Sequence, residues 1–243
     1  MKKTLLIAGL ALAASVITSQ AQVYSQNIVG YVNTPTPGGY TSVANPLDNA
    51  TGNSLTNLMP GIVSGAYDNS YIYVWGGTGY NTYFCDSSLG GLTDAGDNGN
   101  VPSPTINPGV SLFINNNNAS NTVTFVGTVH VGGAGASTNV VGLATNSFNG
   151  LQFVASELPI GGGLNTVLEL PTSTGAMDND YIYVPNIVGG ALHGFNTYFV
   201  DSSFGGTGIA DAGDNGLVTE PTLQVGAGIF VKAVSPVNWV QSY

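Results

Sequence analysis

Arginine is absent from this chain, lysine occurs three times, and charged residues make up only 7% of its 243 positions. Two of the lysines, Lys2 and Lys3, stand at the very start, which leaves Lys232 alone against 13 acidic residues. Phosphate backbones and anionic lipid surfaces are held by clusters of Lys and Arg. Without such clusters, nucleic acid and anionic membranes are poor partners, whereas divalent cations and neutral ligands such as sugars stay open. With so few charges, the solvated surface has to be built from Asn, Thr, Ser and Gly. Cysteine is nearly absent too: Cys85 is the only one. An intrachain disulfide, the usual staple of small exported domains, is therefore excluded.

Long apolar runs are scarce. The one at residues 5–17 follows Lys2 and Lys3 and precedes Ser19-Gln20-Ala21, small residues at the −3 and −1 positions of a cleavage site. It falls short of the roughly 20 residues that span a bilayer. The pattern predicts a signal peptide over residues 1–21, cut after Ala21. Gln22 stands where a lipoprotein needs Cys. The expected mature chain is exported, without a membrane span, and is secreted, held at the cell surface or periplasmic.

What the sequence does have is repetition. Tyr71-Ile72-Tyr73-Val74 returns as Tyr181-Ile182-Tyr183-Val184. The stretch NTYFCDSSLGG, from Asn81 to Gly91, returns as NTYFVDSSFGG, from Asn196 to Gly206, with nine of eleven positions identical. DAGDNG occurs unchanged at 94–99 and 211–216. Weaker echoes join Asn27-Ile28-Val29-Gly30 to Asn139-Val140-Val141-Gly142, Val43-Ala44 to Val154-Ala155, and Gly109 to Gly226. The expected organisation is a first lobe over 22–129, a Gly-rich linker over 130–138 and a second lobe over 139–243. The spacing drifts through small insertions, the longest at 185–194, and these belong at loop tips. Cys85 is matched by Val200, so its position asks for a small apolar group rather than a nucleophile, which would need a cationic or imidazole neighbour to ionise.

Each lobe reads as strands and turns. Alternating β-branched and aromatic residues mark strands at 71–75, 82–85 and 122–129, with others near 27–32, 40–44 and 110–114. Counterparts fall near 139–143, 151–155, 181–184, 195–200, 227–233 and 237–241. Clusters of Gly, Pro, Asn and Asp separate them as turns. One short helix is expected at 54–59, capped by Asn53 or Ser54 and ended by Pro60-Gly61; residues 164–170 are its expected echo. The predicted fold class is all-β: two tandem, internally duplicated β-sandwich or partly open barrel lobes, each with at most one short helix.

Asn27-Ile28-Val29-Gly30-Tyr31-Val32-Asn33, the Ala44-Asn45-Pro46-Leu47 turn, Asn107-Pro108-Gly109 and the Thr122-Val123-Thr124-Phe125-Val126-Gly127 strand together resemble an uncharacterised family of exported bacterial β-rich repeat proteins. The second lobe departs from that pattern, with Ser156-Glu157-Leu158 and Val225-Gly226 in place of the Asn-Pro-Leu and Pro-Gly elements. The resemblance implies an exported surface or matrix protein and brings no catalytic residue or ligand with it.

Candidate chemistry centres on duplicated carboxylates. Asp68, Asp86, Asp94 and Asp97 recur as Asp178, Asp201, Asp211 and Asp214. The DAGDNG loops partly match a calcium loop, in which oxygen ligands alternate before a turn glycine. A Ca²⁺ site per lobe would draw on Asp94, Asp97 and Asn98, and on Asp211, Asp214 and Asn215. Thr105 and Thr222, however, stand where an EF-hand loop has its closing glutamate. The simpler expectation is that these aspartates cap tight turns through nearby backbone N–H groups. The repeated Phe-x-Asp-Ser-Ser resembles the paired Asp-Thr/Ser-Gly signature of aspartic proteases, with Asp86 and Asp201 as the pair. Ser88 and Ser203 replace the glycine that signature requires.

Aromatic residues are the remaining signal. Tyr71, Tyr73 and Trp75 share one strand face by the period of two. Core packing is the ordinary explanation, and a ring platform for sugars or self-association is the alternative; Pro185 replaces Trp75 in the second copy. The leading expectation is thus an exported, non-enzymatic surface or extracellular-matrix protein acting through β-domain contacts, with bound Ca²⁺ or no cofactor. A carbohydrate-binding module comes second, and an acid-pair hydrolase third. Glycans, other surface proteins and a second copy of the chain are the expected partners.

Overall fold

The computed structural model describes residues 29–130, 138–143 and 150–242. The predicted signal peptide and most of the predicted linker lie outside them. Strand makes up 47% and helix 6%, in several antiparallel sheets without a closed barrel, so the chain is an all-β protein.

In the first half, the strands are β1 (Val29–Thr36), β2 (Gly39–Ala44), β3 (Leu47–Asp48), β4 (Tyr71–Trp75), β5 (Tyr80–Asp86), β6 (Gly91–Asp94), β7 (Ser111–Asn116) and β8 (Asn121–Val129). They form a five-stranded sheet in the order β2-β7-β4-β5-β6 and a three-stranded sheet β1-β8-β3. In the second half they are β9 (Thr138–Leu143), β10 (Leu151–Val154), β11 (Gly162–Gly163), β12 (Tyr181–Val188), β13 (Ala191–Val200), β14 (Ile209–Asp211), β15 (Thr222–Leu223), β16 (Ile229–Lys232) and β17 (Val237–Ser242). There a five-stranded sheet runs β10-β16-β12-β13-β14, beside the pairs β9-β17 and β11-β15.

Side chains alternate across these strands, and one row of each large sheet enters a core. In the first half Val43, Ile72, Val74, Cys85, Leu112 and Ile114 pack against Val123 and Phe125 of β8. In the second half Val154, Ile182, Val200, Ile229 and Val231 pack against Val237 and Trp239 of β17. Each half therefore has a sheet-on-sheet core of its own. Cys85 and Val200 are both fully buried in these cores. Burial, reinforced by the negative charge of Asp68, pushes the Cys85 thiol up to about 12, which makes it an inert packing group.

A single helical turn, α1 (Leu55–Leu58), buries Leu55 and Leu58, and the Ser54 side chain accepts from the Asn57 amide at its start. The expected helical echo at 164–170 is instead a series of turns. Glu169 adopts a positive φ of 58° there, and Glu220 takes the amides of Asn165 and Thr166. Asn165, Thr166 and Val167 are also weak helix formers, so nothing local drives a helix.

The two large sheets meet through the faces that their cores do not use. Gly228 donates its amide to the Ser42 hydroxyl at 3.0 Å. The 185–194 insertion lengthens the β12–β13 hairpin, whose tip reaches the first sheet, so that the Tyr40 amide donates to the Gly190 carbonyl. A Cβ at Gly39 (φ 91°) would overlap the Gly190 carbonyl oxygen, and one at Gly190 that of Gly38. Only glycine permits this approach. The insertion is thus a clasp between halves rather than a free loop tip.

Candidate functional site

The exposed pattern of β4 places Ile72 and Val74 in the core and Tyr71, Tyr73 and Trp75 on the opposite face. Register extends that row sideways: Trp75 lies across from Tyr80, and Tyr73 across from Phe113. The second sheet turns Phe153 and Phe230 toward the same junction, paired across β10 and β16. Phe153 stacks on Phe230 at 4.3 Å between centroids and on Phe113 at 4.8 Å. These three phenylalanines form a third buried cluster that draws on both halves.

Trp75 caps this cluster. Its ring meets Tyr80 edge-on at 5.2 Å and Phe230 at 5.6 Å, and its indole N–H donates to the Leu151 carbonyl at 3.3 Å. Beside it opens a cleft of about 410 Å³ lined by Trp75, Tyr80, Leu151, Tyr183, Phe195, Phe230 and Lys232. A second hollow of about 260 Å³, lined by Tyr40, Tyr73, Tyr80, Phe113, Leu192 and Phe195, shares Tyr80 and Phe195 with it. Burial, with the neighbouring Tyr40 adding to it, pushes the Tyr73 hydroxyl up to about 12, and burial alone does the same for Tyr80. Both stay protonated donors at any physiological pH. The site is an apolar, ring-walled groove with a few polar tips, the usual make-up of a small-ligand site.

Of the three predicted platform residues, Trp75 and Tyr73 enter the groove. Tyr71 does not: it stacks on Tyr73 at 6.3 Å and leans on Phe84, beside the opening. Sequence reasoning missed Leu151, Tyr183, Phe195, Phe230 and Lys232, all from the second half. Tyr183 lies within a repeated word and Phe195 just before another, but no sequence signal placed them against Trp75.

Most of the duplicated carboxylates are spent on turns. Asp94 Oδ1 accepts from the amides of Gly96 and Asn98 at 3.0 and 2.9 Å, and the Asn98 side-chain N–H₂ also points at the carboxylate. Asp211 repeats this with Gly213 and Asn215. The Asn98 and Asn215 amides, first among these donors, hold the two carboxyls below the usual carboxylate range. Asp97 accepts from the Thr93 hydroxyl at 3.1 Å. Ala210 occupies the corresponding place before Asp211, so Asp214 has no such donor; desolvation, then the charges of Asp201 and Asp211, raise its pKa. Asp97 and Asp214 both sit at φ 56°, a left-handed geometry that Asp tolerates. Asn98 and Asn215 thus turn a donor nitrogen, not an oxygen, toward the aspartate that was expected to bind a cation. Among the described residues no group of three or more His, Cys, Asp or Glu is arranged to hold a metal.

Asp86 and Asp201 each cap a short 3₁₀ turn, accepting from the amides of Ser88 and Ser203 at 2.8 Å. Hydrogen bonding to those serines holds both carboxyls below the ordinary range. Neither lines the groove. Asp68 and Asp178 grip the next serines, Ser87 and Ser202, through both amide and hydroxyl. No family model, curated protein or solved structure matches the chain. No described helix is long and apolar enough to cross a membrane.

Proposed function

We propose that this chain is an exported, non-enzymatic binding protein of the cell surface or extracellular matrix. In this reading it is made of two duplicated β-lobes, residues 22–129 and 139–243, that hold a sugar ring of a glycan in the groove between them. The observation that carries it is the groove wall: Trp75, Tyr80, Tyr183, Phe195 and Phe230 converge from both sheets on one apolar opening. Aromatic faces offer large, stiff contact area to the flat apolar side of a ring, while tyrosine hydroxyls supply polar tips. The carboxylates most suggestive of catalysis or metal binding are engaged in turns, which favours binding over hydrolysis.

Tryptophan fluorescence tests this directly. Trp239 is fully buried in the second core, whereas Trp75 borders the groove. Titration with an oligosaccharide should change the emission of Trp75 alone. Trp75→Ala should abolish binding measured by calorimetry, and Tyr71→Ala should leave affinity within about twofold, less than 0.5 kcal/mol. Binding by Trp75→Ala as tight as by the parent chain would dismiss the groove.

A further inference from the structure

We infer that the groove selects a ring bearing a carboxylate, a uronic acid residue within a glycan chain, and that Lys232 makes the selection. The inference rests on the glycan reading above and narrows it to a ligand class.

Lys232 lines the main cleft together with Trp75, Tyr80 and Phe230. It is the only lysine outside the first three residues of a chain that has no arginine and 13 acidic residues. A lysine of intermediate exposure in so acidic a protein would be expected to sit against a carboxylate. Yet the one ion pair among the described residues joins His130 to Asp48, at 2.6 Å. Around Lys232 the described partners are apolar: the Tyr181 ring lies 5.9 Å from Nζ, and Leu151 and Tyr181 are its cross-strand neighbours. A cation–π contact at that distance is near the outer limit and satisfies none of the ammonium's hydrogen-bond donors.

The first sheet shows what a neutral version of the position looks like. Asn115 lies across from Tyr71 in the first sheet, as Lys232 does from Tyr181 in the second. The charge is therefore not demanded by the strand register or by the tyrosine beneath it. The stem of a lysine can also cover an aromatic ring with its head in water. That accounts for contact with Tyr181 but not for placing the one lysine among the described residues on the wall of the ring-lined cleft. An ammonium on an apolar wall, with no carboxylate among the described residues paired to it, can donate a charge-assisted hydrogen bond to a bound anion. Stacking on the walls with a carboxylate at Lys232 would satisfy both parts of the site. A neutral sugar satisfies only one.

The test compares three probes on the full mature chain by calorimetry and Trp75 fluorescence. They are an oligogalacturonate, the same oligomer with its carboxyls reduced to alcohols, and benzoate, a ring acid that is not a sugar. The parent chain should bind the uronate at least about tenfold more tightly than its reduced form, a gap of 1.4 kcal/mol. Lys232→Gln should remove that gap by weakening uronate binding alone, and Lys232→Arg should preserve it. Lys232→Asn, which installs the residue found at the first-sheet position, serves as the second neutral variant should the glutamine disturb packing. Equal binding of uronate and reduced oligomer by the parent chain would overturn the role of Lys232 while leaving the groove as a glycan site. Discrimination that persists in both neutral variants would overturn it as well. Tighter binding of benzoate than of the uronate would reject the sugar, and no response to any probe would overturn this inference and the glycan reading together.

Discussion

The amide of Ala44 donates to the carbonyl of Gly226 at 2.7 Å across the junction of the two sheets. The amide of Ala155 returns the bond to the carbonyl of Gly109 at 2.8 Å. Ala44 and Ala155 are matched positions in the sequence, and so are Gly109 and Gly226. The contact is therefore reciprocal, as in an isologous interface in which residue i meets j and j meets i. Val110 and Val154 add an antiparallel bridge to it. Main-chain bonds of this kind leave little freedom for one sheet to slide on the other. The aromatic walls, contributed by both sheets, are thereby held in place relative to each other.

Gly39 tests the clasp. Gly39→Ala forces a side chain into a φ of 91° and against the Gly190 carbonyl. The variant should lose about 1–3 kcal/mol in denaturant melts, the usual cost of backbone strain plus a steric conflict. Gly30→Ala, where a Cβ meets nothing within 4 Å, should change stability by less than about 0.5 kcal/mol. Similar melts for the two variants would mean that the hairpin tip is not a structural clasp.

Asp180 sets a pH dependence. It is fully buried, its Oδ1 accepts from the Val234 amide at 2.7 Å, and its Oδ2 has no hydrogen-bond partner. Burial pushes its pKa up to about 6, against the partial relief of the Val234 bond. A carboxyl whose folded pKa is raised binds its proton more tightly when folded. Its contribution is fully present below the unfolded value near 3.8 and is lost as pH rises through about 6. Asp180→Asn should therefore gain on the parent chain by about 2 kcal/mol between pH 4 and pH 7. Parallel stability curves across that interval would count against a buried, proton-holding Asp180.

The DAGDNG loops make a prediction about metal. Asp94 and Asp211 already receive their hydrogen bonds from their own loops, so EDTA should leave the thermal midpoint of the protein unchanged. Asp94→Ala should lower that midpoint, because the amides of Gly96 and Asn98 lose their acceptor. A midpoint that falls with EDTA and recovers with added Ca²⁺ would instead restore the cation site at Asp94, Asp97 and Asn98.

Much of the local structure was legible in the residues. Alternation located β4 and β8, Ser54 was one of the two expected caps of α1, and Asp86, Asp94, Asp201 and Asp211 cap turns as expected, because each depends on neighbours a few positions away. The helical echo at 164–170 failed, since Glu220, far along the chain, captures the amides of Asn165 and Thr166. The platform on Tyr71, Tyr73 and Trp75 was right about the shared face and incomplete about the site. Its other wall comes from residues some hundred positions away, and no periodicity within β4 encodes them.

The sequence by itself determined the all-β character, the strand faces and the chemistry of the turns, because a period of two and the conformational habits of Gly, Asn and Asp act locally. Only the tertiary structure decided that the outward aromatic row of one sheet faces that of the other, and that Lys232 borders the groove between them. That pairing follows from the close approach of Gly39 to Gly190 and from the Phe113–Phe153–Phe230 stack. Both join residues distant in the chain, whose meeting is set by how two finished sheets fit together.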